Sequence, residues 1–331
     1  MNVSARAPGK VVVLGEYAVL KGAPALVLAV DRYCRAEISE NLEAPCHLRS
    51  WAPKLQEFRF DSLAESGLPL VDMVIDDSRL GHPWRGDLDS RALYSELGKL
   101  GIGSSAAALT AWAGAWCTFA GLGSIDKNNE GLGKLIDWHR SLQGGLGSGL
   151  DVAASLFGSM ISFELQEDSA PVVDSVQLPS SVTFVGICVG HSASTQDFLR
   201  RFNAWQDVSP ARASEQLAEL TCLAEIGHAA AAENDDAAFL SALTEYGGCL
   251  GELGESMGVD IVTRAHREIG REAKRYSVAY KISGAGGGDL GLAFSADTGA
   301  LEAFLRTIES SQYKIINFGL DKQGLCIDGH I

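Results

Sequence analysis

The sequence predicts an α+β fold in two lobes, and three observations carry that reading. Strand-like and helix-like segments recur in both halves of the chain without the regular alternation of a βαβ repeat. The stretch from Ser169 to Pro179 holds two prolines and several polar residues, the composition of a connection between halves. The length, 331 residues, suffices for two modest domains, placed at 1–175 and 176–331.

The elements follow in order. Val11–Leu14 and Ala25–Val30 are continuous apolar runs and read as buried strands, while Tyr33–Ile38 alternates like a third. Residues 43–95 are mixed, charged and proline-bearing, and their elements stay unassigned. A helix of small residues starts at Gly103 or Ser104 and runs towards Ala120. A second helix covers Lys127–Leu142, and a strand covers Ser159–Glu164. After the connection, Val182–Val189 reads as a strand. Gln196–Lys274, rich in Ala, Leu and Glu, reads as largely helical. Strands return at Ser277–Ser283 and Leu290–Phe294, followed by a helix over Thr298–Ser310 and strands at Tyr313–Asn317 and Leu325–Ile327.

Composition narrows the function. With 46% hydrophobic and 21% charged residues, the chain is globular and not disordered. Its 27 basic and 42 acidic side chains give a net charge of −15, which argues against nucleic acid and against an anionic membrane surface as partners. No apolar segment follows a basic start, and Ala106–Gly123 is too weakly apolar for a membrane span, so a cytoplasmic location is expected. The seven cysteines are scattered and never spaced C-x-x-C, and they are expected to be reduced, mostly buried thiols.

Glycine is in excess, at 37 residues, and it clusters in four places. These are Pro8-Gly9-Lys10 running to Gly15-Glu16-Tyr17, then Lys99 to Ala107, then Gly144 to Asp151, then Lys281 to Asp289. The second is the most telling. Gly101-Ile102-Gly103-Ser104-Ser105 at the head of a helix joins close backbone approach to free N–H groups and a positive dipole end, which suits a chain of phosphates. An ordinary Gly–Ser helix cap gives the same pattern, and from this motif alone both readings stand. There is no G-x-x-x-x-G-K-[ST] loop. The match of Gly101-x-Gly103-x-x-Ala106 to a dinucleotide fingerprint lacks the preceding apolar strand and the later acid. Asp151, just before an apolar run, reads either as a helix N-cap or as a carboxylate facing a cleft. Gly284–Gly288 reads as a turn or as a backbone nest for an anion.

Taken together, Pro8-Gly9-Lys10…Gly15-Glu16-Tyr17, Gly101-Ile102-Gly103-Ser104-Ser105-Ala106-Ala107, Gly147-Ser148-Gly149-Leu150-Asp151 and Ser283-Gly284-Ala285-Gly286-Gly287-Gly288-Asp289 closely resemble the GHMP kinase family. That resemblance covers both ends and the middle of the chain. It implies an N-terminal ATP-binding lobe like ribosomal protein S5 domain 2, a ferredoxin-like C-terminal lobe, and an active site between them. It also implies ATP and Mg²⁺ as cofactors and a small-molecule acceptor.

Within the family, Gly15-Glu16-Tyr17-Ala18, His139-x-x-x-Gln143-Gly144 and Ala193-Ser194-Thr195 resemble phosphomevalonate kinases. Arg140 stands eleven residues before Asp151, where mevalonate kinases tend to carry a metal-binding glutamate. Lys21-Gly22-Ala23-Pro24, by contrast, is close to mevalonate kinases. The expected reaction is phosphorylation of phosphomevalonate in isoprenoid synthesis. The alternatives are mevalonate kinase, another small-molecule kinase of the family, or a catalytically inactive metabolite-binding relative.

The resemblance assigns roles residue by residue. Lys10 and Asp151 are the catalytic pair. Lys99, Gly101, Ile102, Gly103, Ser104, Ser105, Ala106 and Ala107 hold ATP, with Ser105 on the metal. Glu16, Tyr17, Gly147, Ser148, Ser194, Thr195, Ser283, Gly284, Ala285, Gly286 and Asp289 face the acceptor. His139 and His191 read as structural histidines. A monomer or homodimer is expected.

Overall fold

The computed structural model describes residues 1–96, 98–167, 169–190 and 194–330, and all of their side chains but those of residues 77, 329 and 330. The first sheet is built on β1 (Asn2–Leu14) and β2 (Ala25–Glu40), a long antiparallel pair. The two strands expected at 25–30 and 33–38 are one strand. The strand expected from Val11 extends back to Asn2, because Val3, Ala5 and Ala7 alternate inward and bury completely or nearly so. β3 (Cys46–Trp51) and β4 (Leu55–Phe60) form a hairpin, and α1 (Pro69–Ile75) and β5 (Trp84–Asp89) complete the segment left unassigned. β6 (Tyr94–Ser95) and β7 (Gly98–Lys99) pair as a clip before α2 (Ser104–Phe119). Then come α3 (Asn129–Leu142), α4 (Leu150–Phe157), β8 (Met160–Glu164) and β9 (Val172–Val176).

β2 branches the sheet: residues 25–28 pair with β8 and residues 35–40 with β5. β9 corrects the sequence reading. Part of the expected connection is an edge strand on β8, with Pro171 just before it and Pro179 three residues beyond it, where a missing N–H costs no ladder bond.

The second sheet contains β10 (Thr183–Cys188), β11 (Ala279–Ile282), β12 (Leu290–Ser295) and β13 (Lys314–Ile316) in the order β11-β12-β10-β13, antiparallel throughout. Between β10 and β11 run α5 (Thr195–Val208), α6 (Pro210–Glu233), α7 (Asp236–Met257) and α8 (Arg264–Arg275); α9 (Thr298–Glu309) joins β12 to β13. With α8 and α9 as its two helices, this is the β-α-β-β-α-β arrangement of a ferredoxin-like lobe. The last strand, β14 (Cys326–His330), leaves that lobe and pairs antiparallel with β1.

α2 is buried all round, which explains its lack of a polar face. Trp112 and Trp116 stack on it at 6.3 Å, and Trp84 of β5 meets both. No helix among the described residues is long and apolar enough to cross a membrane. One continuous core runs through both sheets, from Val3 and Trp112 to Tyr246, Leu292 and Phe294. A smaller core, including Ile187, Ile269, Ala293 and Phe304, sits between the second sheet and α8 and α9.

His266 on α8 is buried, and its Nδ1 is hydrogen-bonded with the Tyr280 hydroxyl at 2.7 Å. Burial pushes this imidazole from 6.5 down to about 4. Between those values the unfolded chain binds a proton that the folded chain does not, so stability falls as pH falls. The loss reaches about 3 kcal/mol by pH 4. His266→Asn keeps an acceptor for Tyr280 and abolishes that component. Urea unfolding of both proteins from pH 7 to pH 4 should show the wild type losing more stability than the variant.

Candidate functional site

A cleft of about 580 Å³ opens where the two sheets meet, and the glycine motifs of both lobes line it. Lys10 comes from β1, and its backbone N–H donates to the Ile102 carbonyl at 2.8 Å, which docks the glycine loop on the strand. The Lys10 side chain crosses Gly103. That residue has φ +73°, and a Cβ there would sit 3.1 Å from both Cγ and Cε of the lysine. Gly103 itself caps α2, so Ser104 and Ser105 occupy its first turn and are not the cap considered from sequence. The free amides of that turn and the Ser105 side chain line the cleft, and the Ser104 hydroxyl bonds the Tyr94 phenol. Gly101 is approached from the other lobe: a Cβ on it would fall 2.6 Å from Cβ of Asp289.

The opposite wall is held by a buried ion pair. Glu16 Oε1 is 2.5 Å from Lys281 Nζ, and both side chains are almost fully excluded from solvent. The same oxygen accepts from the Gly284 backbone N–H at 3.2 Å. Lys281 also donates to the carbonyls of Ile282 (2.5 Å) and Val12 (3.4 Å). Burial pulls the Lys281 amine down, with Glu16 opposing that shift.

Around the pair, Ser283 Oγ accepts from the Val12 N–H at 2.8 Å, Tyr17 donates to the Ala285 carbonyl at 2.6 Å, and Tyr246 donates to the Glu16 carbonyl at 2.7 Å. Burial raises the Tyr17 phenol above its ordinary range, so it stays a donor. Part of the expected anion nest is thus already filled by a carboxylate from the other lobe.

Asp151 lies in the first turn of α4, two residues past the cap at Gly149, so the N-cap reading does not hold. Its Oδ1 accepts from the Val152 N–H at 3.0 Å, and its side chain lines the cleft. Arg140 clamps the preceding loop by donating to the carbonyls of Gly147 (3.2 Å) and Ser148 (3.4 Å). Ser148 Oγ accepts from Leu150 N–H at 3.4 Å. Ser194 caps α5 through a bond from the Asp197 N–H at 3.3 Å and borders the cleft with Thr195.

Of the residues singled out by sequence, Lys10, Glu16, Tyr17, Lys99, Gly101 to Ser105, Gly147, Ser148, Asp151, Ser194, Thr195, Ser283 to Gly286 and Asp289 all line this one cleft. Ala106 and Ala107 do not; both are wholly buried and pack into the core. His191 and Ala193 lie outside the described residues. Sequence reasoning missed Lys281, Tyr246 and the clamp made by Arg140. The one available signal was a lysine inside the apolar strand Ala279–Ile282.

No protein-family model matches the chain. A mevalonate kinase from Thermococcus gammatolerans is 27% identical over 223 residues, spanning 63% of this chain and 64% of that protein. Among solved structures, a Lin0012 protein from Listeria innocua superimposes with a TM-score of 0.86 at 23% identity, covering 100% of both chains. Streptococcus pneumoniae phosphomevalonate kinase, in complex with phosphomevalonate and AMPPNP, does so at 0.78 with 18% identity, covering 96% of this chain and 99% of that one. Mevalonate kinases and a heptose 1-phosphate kinase share the architecture. The chain therefore has the GHMP small-molecule kinase fold, with kinases of the mevalonate pathway among its structural neighbours.

Removing one partner of a buried pair leaves an uncompensated charge, at a cost of about 3–5 kcal/mol. Lys281→Met should lose that much in urea unfolding. Adding Glu16→Leu to it should restore more than half of the loss, because the stranded carboxylate is then gone. Equal stability of the single and double variants would count against the pair.

Proposed function

We propose that the protein is an ATP-dependent kinase that phosphorylates phosphomevalonate. The observation that supports this most is the convergence, in one cleft between the lobes, of Lys10, the N-terminus of α2 with Ser104 and Ser105, Asp151, and the loop Ser283–Gly286. Phosphoryl transfer depends on positioning and charge stabilisation, and these groups supply both.

In this reading the residues of 1–175 hold most of the ATP. The first-turn amides of α2 and the amine of Lys99 take the phosphate chain. Lys10 forms no ion pair with any described residue, so its amine remains for the transferring group. Asp151 orients the acceptor, while the loop from residues 176–331 carries Ser283 and Gly286 to the acceptor side.

A Mg²⁺ ion suits this donor set. It takes one or two protein oxygens and fills its octahedron with phosphate and water, and Ser105 offers such an oxygen at the cleft. No cluster of three or more His, Cys, Asp or Glu side chains able to hold a metal occurs among the described residues, and none is required. When bound, the ion would neutralise charge on the phosphates.

The phosphorylated acceptor is favoured by Arg140. It stands where mevalonate kinases tend to carry a metal-binding glutamate, and it brings a cation to the Gly147–Ser148 loop. The Thermococcus likeness favours mevalonate as the second reading.

ATP consumption against mevalonate, phosphomevalonate, homoserine and galactose decides between them. Phosphomevalonate should give the highest kcat/KM, and a preference for any other acceptor overturns the assignment. Lys10→Met should lower kcat by roughly 10²–10³-fold; an unchanged rate removes Lys10 from the site. A phosphate monoester, with a second pKa near ~6, arrives mostly ionised and needs little help from a base. Asp151→Asn should therefore cost about 10-fold on phosphomevalonate, less than the roughly 10²–10⁴ that a general base contributes.

A further inference from the structure

His139 sits on α3, buried to 3% exposure, with each ring nitrogen facing a residue that lines the cleft. Its Nε2 is 3.1 Å from Gln143 Nε2, one helical turn on, and its Nδ1 is 3.7 Å from Asp151 Oδ1 on α4. The second distance lies within ion-pair range and is longer than a hydrogen bond. The Gln143 amide nitrogen only donates, so the Nε2 it faces accepts. In the neutral ring Nδ1 then carries the proton, on the side of the Asp151 carboxylate. Gly147 leaves room for the Gln143 side chain: a Cβ there would come 2.8 Å from Gln143 Oε1. Asp151 Oδ1 accepts from the Val152 N–H and stands on the imidazole side, and no hydrogen bond among the described residues engages Oδ2.

We propose that His139 is a positioning residue, held by Gln143 with Nδ1 protonated, that fixes the Asp151 carboxylate so that its second oxygen faces the acceptor. This rests on the reading of Asp151 as the acceptor-facing group. It assigns to the His139-x-x-x-Gln143 pattern a role in phosphoryl transfer where sequence alone reads a structural histidine. The helix spacing makes the device compact. Positions 139 and 143 are neighbours on one face of α3, and α3 packs directly beside the start of α4, where Gly149 would bring a Cβ to 2.6 Å of Ile136.

The test separates the two nitrogens. In His139→Asn the amide nitrogen replaces Nδ1 and keeps the donor to Asp151, whereas His139→Gln replaces Nε2 and keeps only the contact with Gln143. Asparagine should hold kcat within about 3-fold. Glutamine and phenylalanine should lower it by about 10–10²-fold, the scale of a misplaced catalytic group, with KM for ATP unchanged. A buried histidine that only supports the fold would make asparagine and glutamine equally harmful, and that result overturns the proposal.

A second measurement needs no turnover. Long-range ¹⁵N–¹H correlation on histidine-labelled, unliganded protein should show a proton on His139 Nδ1, with the signal identified by its loss in His139→Asn. The preference should disappear in Asp151→Asn. An unprotonated Nδ1 in the wild type overturns the proposal. An Nδ1-protonated ring in a protein that turns over no acceptor would instead sink the kinase reading and leave the dyad standing.

Discussion

One oxygen atom ties the two lobes together at the cleft wall. Glu16 Oε1 receives the Lys281 amine and the Gly284 N–H together, and Glu16 belongs to the first lobe while both donors belong to the second. Burying two charges is expensive, and their attraction does little better than offset that expense. What the pair supplies is register. With Lys281 also bound to the Val12 carbonyl and Ser283 to the Val12 N–H, the strand that carries Lys10 and the loop that carries Gly284–Gly286 are held in one relative position. The tyrosines reinforce it from opposite sides, Tyr246 on the Glu16 carbonyl and Tyr17 on the Ala285 carbonyl.

This arrangement also bears on how an acidic protein would receive the polyanions of the proposed reaction. A net charge of −15 argues against a broad positive surface. The favourable field must then be local, made from the amides at the head of α2, the dipole of a helix buried on every side, and the two lysines at its rim. Glu16 would spoil that field if it were free. Its pairing with Lys281 offsets the charge of a carboxylate at the cleft wall, which would otherwise repel the phosphates of the proposed substrates.

The parts of the structure that sequence made legible are those with local causes. The glycine loops, the small-residue helix α2 and the apolar runs of β1 and β10 each carry their reason within a few residues. So does the helical stretch from α5 to α8. What stayed hidden depends on partners distant in the chain. Lys281 reads as the end of a strand until Glu16, 265 residues away, is seen beside it. Ala106 and Ala107 belong to the glycine-loop motif, yet a helix with sheet and neighbours around it turns them inward. β9 looked like a linker because prolines lie on either side of this edge strand. Asp151 allowed a cap reading beside the cleft-facing one because the residue that does cap α4, Gly149, leaves no side-chain signature.

The returning strand β14 gives the chain an order of completion. β1 is flanked by β2 on one side and by residues 326–330 on the other, and just before them the buried Asp321 ties β14's approach to β2 through Tyr33 and the Ala29 carbonyl. During synthesis the strand that bears Lys10 therefore keeps an open edge until nearly the whole of the second lobe has left the ribosome. The first sheet begins first and is completed last, since residues 2–6 of its first strand gain their second neighbour only when residues 326–330 arrive.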